Sequence, residues 1–371
     1  MTDRTRLIVL ALTLPIMAYT LVGSVLGRVV AQEGAYRHLR IFEEVVSLVT
    51  SNYVEQVDAD LIMQGALWGL AEGLDPESSY LTADEVRLHD AGPDSADAGV
   101  GLPLTRQYYV QVVAARDGSP AALAGLRPGD YLRQIDGNPT RMRSTVQARQ
   151  LLRGAPGSTV SLEIIRGNAA EPVTLDIERG EARSANVTSR IATPGVGYLR
   201  ISEFDATTVG AIGAADETLA GQGAESLVID LRGTATGSFE AGVAAAELFT
   251  DADPLVMRES SSEREPVARG PRQPSIAGSV VLLTDFGTAG AAELFAAALT
   301  DAGRADTVGV RTAGRAAEQT LVRLPDGGGL LLSSTRYLTA SGEPIHRQGG
   351  GGPGPGPEPR PRNAPRARRA P

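Results

Sequence analysis

The sequence predicts an α/β protein: a helical N-terminal part, a small β-rich module inserted in the chain, and a core built on a mainly parallel sheet. Three observations carry that expectation. Residues 36–89 bear apolar side chains at helical spacing, residues 99–179 alternate short strand-like runs with glycine and proline turns, and beyond residue 183 apolar runs alternate with alanine-rich helical stretches. Strands that alternate with helices pair in parallel and bury both faces under the helices. With 42% hydrophobic and 21% charged residues among 371, the chain can fill several cores.

Composition removes several chemistries. A net charge of −9 argues against a nucleic-acid partner, because phosphate recognition uses a basic surface. The absence of cysteine excludes thiol catalysis, disulfides and cysteine-ligated zinc. His38, His89 and His346 stand far apart, outside any metal-ligand spacing. Each is expected at the surface, and neither a metal nor a cofactor is expected. Every basic side chain is arginine, with no lysine anywhere in the chain. Guanidinium stays protonated in proteins, so no general base of the desolvated-lysine type is available.

The elements follow in order. Leu7 to Leu26 is an apolar run of the length a helix needs to cross a bilayer, behind Arg4 and Arg6. It reads as a membrane anchor or as an export signal with a candidate cleavage site at Val29-Val30-Ala31. In "IFEEVVSLVTSNYV", Ile41, Val45, Val46, Leu48 and Val49 fall on one helix face. A second helix fits "DADLIMQGALWGLAEGL", with Asp58 or Asp60 as N-cap and Gly73 near its end, and "DPESSYL" reads as a turn.

Between Gly99 and Arg179 the segments "GVGLPL", "YYVQVVAA" and "GSPAALAGLRPGDYLRQIDG" precede a helix at Thr145–Arg153 and strands at Val160–Ile165 and Pro172–Ile177. Pro128, Gly129 and Asp130 suit a tight turn. The succession resembles a PDZ domain. Such a domain adds an extended peptide to a sheet edge and receives its terminal carboxylate on glycine-loop amides. The expected groove is Gly99, Val100, Gly101, Leu102 and the strand from Tyr109, facing Ala148, Leu151 and Leu152.

The last region reads strand "VGYLRISEF", helix "ATTVGAIGAADETLAGQG", strand "SLVIDLRG", helix "FEAGVAAAELF", strand "SVVLLTD" and helix "AAELFAAALTDAG". Sites in such sheets gather at strand ends, where "DFGTAG" lies.

Across residues 36–348 the order of these motifs, with "LPDGGGLLLSSTRYLTASGEPIH", resembles the carboxy-terminal processing peptidases, or tail-specific proteases. The resemblance implies a crotonase-like peptidase core with N-terminal helices and an inserted PDZ domain. It also implies a serine nucleophile in a "GSASASE"-like motif and a lysine base in a "GKGSVQ"-like one. Here those motifs are "GTAGAAE" and "GRAAEQ", which puts Gly290 at the nucleophile position and Arg315 at the base position, with Gln319 kept. The family's "DLRNNPGG"-like stretch, whose backbone helps hold the oxyanion, is "DLRGTATG", with Thr236 and Gly237 at the paired glycines. Relocated chemistry would fall to Thr288 as nucleophile and to Glu293 or Glu318 as base.

The expected domains are therefore an anchor or signal at 1–31, a helical part at 32–96, a PDZ domain at 97–182, a peptidase-like core at 183–347 and a disordered Pro/Gly/Arg-rich tail at 348–371. The expected function is an envelope-located pseudopeptidase that binds protein C-termini or unfolded tails; the alternative is an active serine-type endopeptidase with a rearranged site. The membrane through the N-terminal segment, a second copy of the chain and an intact peptidase relative are further candidate partners.

Overall fold

The computed structural model describes residues 38–349 apart from 93–95, 168, 170, 183, 268–269, 271–273 and 347–348. The apolar run at 7–26 and the tail beyond 349 lie outside the described residues. Among the described residues no helix is long and apolar enough to cross a membrane.

Residues up to Gly69 form one compact unit and those from Leu70 a second. In the first, α1 (residues 38–52) leaves Ile41, Val45, Leu48 and Val49 exposed. The next helix, α2 (Ala59–Glu72), runs across the boundary and starts at Asp58, whose carboxylate accepts the Asp60 and Leu61 N–H groups.

The second unit contains three sheets. "DPESSYL" is a turn only as far as Ser78, where Asp75 accepts the Glu77 and Ser78 N–H groups. Its last residues form a strand instead, β1 (Ser79–Leu81), because their backbone finds a partner 250 residues along, in β16 (Gly329–Thr339). A Thr82–Glu85 capping box then opens α3 (Ala83–Ala91). Since β1 already belongs to a core sheet, the segment that follows it is an insertion.

That insertion is a sheet in the order β2 (Leu104–Gln107), β3 (Tyr109–Val112), β4 (Tyr131–Ile135), β6 (Thr159–Ile165), β7 (Val173–Glu178), with the short β5 (Asn138–Pro139) beside β4. Helices α4 (Pro120–Leu123) and α5 (Thr145–Leu152) complete it, each begun by a serine, Ser119 and Ser144, whose hydroxyl accepts a first-turn N–H. Val110, Leu132, Ile135, Ala148, Val160 and Leu162 are fully buried in its own core.

Beyond it, β8 (Val187–Thr193), β9 (Val196–Ile201), β10 (Ser226–Asp230), β13 (Ser279–Thr284) and β14 (Ala305–Gly309) form a sheet that is parallel from β9 to β14. β8 adds an antiparallel edge. The other core sheet carries β1, β16, β11 (Val256–Ser260) and β12 (Arg264–Pro266), with β15 (Ala317–Arg323) also paired to β16. Helices α6 (Thr208–Gly221), α7 (Phe239–Ala246) and α8 (Ala291–Asp301) cover the parallel sheet. Alanine has a packing purpose here. Every residue from Ala291 to Leu299 is buried, and α7 approaches so closely that a Cβ on Gly242 would stand 2.5 Å from the Ala291 carbonyl oxygen. The α8 N-terminus is thereby fixed at the end of β13.

Candidate functional site

The chain turns from β13 into α8 through residues 285–290, a strand-turn-helix connection of the kind that presents a nucleophile. Asp285 stitches it, accepting the Gly233 N–H at 2.8 Å and the Gly287 N–H at 2.9 Å. At its tip Gly290 has φ 62° and ψ −119°. L-residues adopt that conformation only under strain, and glycine adopts it freely. A Cβ at Gly290 would meet nothing closer than Phe239 at 3.9 Å, so the backbone keeps room for a side chain that the sequence does not supply. Thr288 does not replace it. Its hydroxyl is fully buried, donates to the Leu231 carbonyl at 2.9 Å and accepts the Asp285 N–H at 3.0 Å.

Glu293 joins this turn to the segment before β15. One carboxylate oxygen accepts the Thr312 hydroxyl and the Gly314 N–H, each at 2.6 Å. The other accepts the Arg315 N–H at 2.7 Å and the Gly290 N–H at 2.9 Å. Burial pushes the Glu293 carboxyl above the ordinary glutamate range, while these donors pull it down. With two donors on each carboxylate oxygen, Glu293 is a brace between Gly290 and Arg315. Glu318, the other candidate base, accepts the Tyr337 hydroxyl.

The Arg315 side chain is equally committed. Its Nε and Nη2 grip Glu77 as a bidentate pair, with Nε to Oε1 at 2.7 Å, and Nη2 also reaches the Leu104 carbonyl at 3.3 Å. Glu77 accepts the Thr105 hydroxyl at 2.6 Å, and the Gln319 amide donates to the Glu77 carbonyl. Only 21% of the Arg315 side chain and 12% of that of Glu77 are exposed, so the base position holds a compensated ion pair. Sequence reasoning missed Glu77, which lies 238 residues from Arg315 in the middle of an apparent turn. An arginine in place of a lysine was the available signal that a carboxylate partner had to be found.

Facing these positions, the loop after β10 lines a cavity of about 820 Å³ with Ala235, Thr236 and Gly237. None of their N–H groups has a hydrogen-bond partner among the described residues. Gly237 is held at φ 126° with a Cβ site only 2.2 Å from the Phe204 carbonyl oxygen, which leaves glycine as the residue that fits. Gly290 does not line the cavity, whereas Arg315 and Gln319 do.

The same cavity extends along the inserted module. Gly99, Val100, Gly101 and Leu102 line it. The carbonyls of the first three are turned into bonds with the Gly180, Ala121 and Arg116 N–H groups. The Val100, Gly101 and Leu102 N–H groups have no partner among the described residues, so the loop forms a nest of the kind that receives an anion. Gly101 has φ 76°, and a Cβ there would lie 2.3 Å from the Ser119 Cβ.

Tyr109 is not at the groove: β3 is an interior strand, and the open edge belongs to β2, which the sequence reading merged with the entering loop. On α5, Leu152 lines the cavity but Ala148 and Leu151 do not; they pack into the module's own core. The groove-facing stripe is Val146, Arg149, Gln150 and Arg153, at helical i, i+3, i+4, i+7 spacing. Of the histidines, His89 lines the cavity and His38 is exposed, but His346, expected at the surface, is 7% exposed. It follows Ile345, which is buried and whose N–H donates to the Tyr337 carbonyl at 3.2 Å, so this end of the chain is held against β16. Among the described residues no cluster could hold a metal.

The profile of peptidase family S41 matches residues 195–351 and that of the PDZ domain residues 111–166. The carboxy-terminal processing protease CtpA of Bacillus subtilis is 28% identical over 88% of this chain and 70% of its own length. A carboxyl-terminal-processing protease of a Picosynechococcus species is 31% identical over 74% of this chain and 68% of its own. Among solved structures, the photosystem II D1 C-terminal processing protease superposes with a TM-score of 0.68 at 28% identity, covering 84% of this chain and 91% of that one.

Proposed function

The chain belongs to peptidase family S41 and carries a PDZ domain, and from that premise we propose that it is a non-catalytic member that binds protein C-terminal tails or unfolded polypeptide. One observation carries the reading. A single cavity joins three amides of the glycine loop, unpartnered among the described residues, to Arg315, whose ion pair with Glu77 fills the base position, while the nucleophile position, Gly290, lies outside the lining. A tail received there meets an anion nest at its carboxylate and no group able to attack its backbone. Losing nucleophile and base together removes several orders of magnitude in rate. The relatives' names, as processing proteases, support polypeptide as the ligand class. The apolar run at 7–26 supports a place at the cell envelope.

The rival reading, an active serine-type endopeptidase with a rearranged site, draws on the unpartnered Ala235–Gly237 amides, which suit an oxyanion. An experiment separates the two. The chain is incubated with an unstructured protein ending in an apolar residue, as free acid and as C-terminal amide, and binding and cleavage are followed together. Tight binding of the acid, weaker binding of the amide and no cleavage are expected, since a charge-assisted bond is about twice as strong as a neutral one. Cleavage would support the rival, and an Arg315→Ala control would then reveal whether Arg315 takes part.

A further inference from the structure

The protein is acidic overall, at −9, yet its cavity is not. Four arginines line it, Arg116, Arg149, Arg153 and Arg315, together with His89, and among the described residues no carboxylate does. Three of the four have partners outside the lining: Arg315 pairs with Glu77, Arg116 with Glu203, and Arg153 donates to the Asp97 carbonyl. Arg149 is different. Its hydrogen bonds go to the carbonyl and hydroxyl of Thr145, at 3.1 and 3.3 Å, and among the described residues no carboxylate forms an ion pair with it. Desolvation and then the Arg315 charge hold its guanidinium below the usual arginine range against the pull of the Glu77 charge, although the residue as a whole is exposed. An exposed guanidinium that lines the cavity without an ion-pair partner is open to an incoming anion.

Position along the groove says which part of a ligand would meet it. Ala98 and Gly154 exchange backbone hydrogen bonds at 2.9 and 3.0 Å, so the C-terminal end of α5 stands beside the glycine loop. Arg149, one turn earlier on the groove-facing stripe, is therefore displaced from the carboxylate nest along the direction in which a bound tail continues. Its partner is a side chain upstream of the terminus.

Building on the tail-binding reading, we propose that the groove selects acidic tails: an apolar last residue whose free carboxylate enters the glycine-loop nest, preceded by Asp or Glu side chains that pair with Arg149. Salt screens that pairing, because Arg149 is open to solvent.

The test uses the full chain in detergent and fluorescent ten-residue peptides ending in a free apolar residue. They carry either Asp-Asp or Asn-Asn at the second and third positions before the last. The Asp-Asp peptide is expected to bind at least about tenfold tighter at low salt. That ratio should shrink as salt is raised, fall towards one in Arg149→Gln, and be partly restored in Arg149→Lys. An unchanged urea midpoint for Arg149→Gln reports that the groove is still folded. Equal binding of the two peptides by the unmodified protein overturns the acidic preference and leaves the tail-binding reading standing. A preference that Arg149→Gln retains overturns the assignment to Arg149. Failure of both peptides to bind overturns the tail-binding reading and the preference with it.

Discussion

The two ends of the cavity have been treated differently. At the PDZ end the loop keeps the exacting feature of an anion nest: Gly101 at positive φ, pressed so closely on Ser119 that no side chain fits, with three amides left unpaired. At the core end the turn from β13 into α8 keeps its φ 62° tip and the Glu293 brace, and on the non-catalytic reading its two key positions hold Gly290 and an Arg315 paired with Glu77. Geometry and chemistry are therefore separable in this fold. The turn at Gly290 is held by backbone N–H groups bonded to Glu293, so its shape does not depend on which side chain stands at position 290.

The most damaging way to break that comparison is to remove the brace. Glu293→Ala leaves the Gly290, Gly314 and Arg315 N–H groups and the Thr312 hydroxyl without their acceptor in a fully buried site. Urea titration should give a loss of about 4 kcal/mol. A loss under ~1 kcal/mol would mean that the turn does not depend on Glu293.

Next in size is the pair that fills the base position. Glu77→Gln should cost about 2–3 kcal/mol, below the value for a fully buried pair because part of Arg315 meets solvent. Arg315→Met should cost a similar amount, and the double variant less than the sum. Strict additivity would mean that the two charges do not act as a unit. The PDZ end is probed by Gly101→Ala, whose forced φ and overlap with Ser119 should weaken tail binding by about thirtyfold, equivalent to ~2 kcal/mol. Unchanged affinity would place the carboxylate elsewhere.

The sequence made the repeating parts of the fold legible and the non-local parts opaque. Strands β9, β10 and β13 and helices α6 and α8 announce themselves by apolar runs and alanine-rich stretches, because one face of each strand is buried and the other is mostly half-buried. β1 could not be read, since Ser79–Leu81 is a strand only through Leu331, Leu330 and Gly329. The groove-facing side of α5 was misread for a related reason. Ala148 and Leu151 are the apolar choice, but a helix with one side in a core and the other on a ligand gives its apolar side to the core and leaves Arg149 and Arg153 to the groove. At the candidate site, motif order located Gly290 and Arg315 within the chain, whereas Glu77 emerged only once the fold brought residues 77 and 315 together.

The smallest expected effect is also the sharpest probe of what was lost. Restoring Gly290→Ser and Arg315→Lys returns the two residue types that the family resemblance implies, but the ion pair changes the outcome. A lysine at 315 would inherit Glu77 as neighbour, and an opposite charge at hydrogen-bond distance raises a lysine's pKa, keeping it protonated and unable to accept a proton from serine. The serine itself must enter a φ 62° backbone at a cost of about 1–3 kcal/mol. The double variant should therefore remain unlabelled by a serine-directed acylating probe. Adding Glu77→Gln removes the charge while keeping an acceptor for the Thr105 hydroxyl, so the lysine can lose its proton on burial. Weak labelling confined to the triple variant is the expected result, read by mass spectrometry of the modified peptide. Labelling of the double variant to the same extent would remove Glu77 from the account, and labelling of the unmodified protein at Thr288 would overturn the non-catalytic reading altogether.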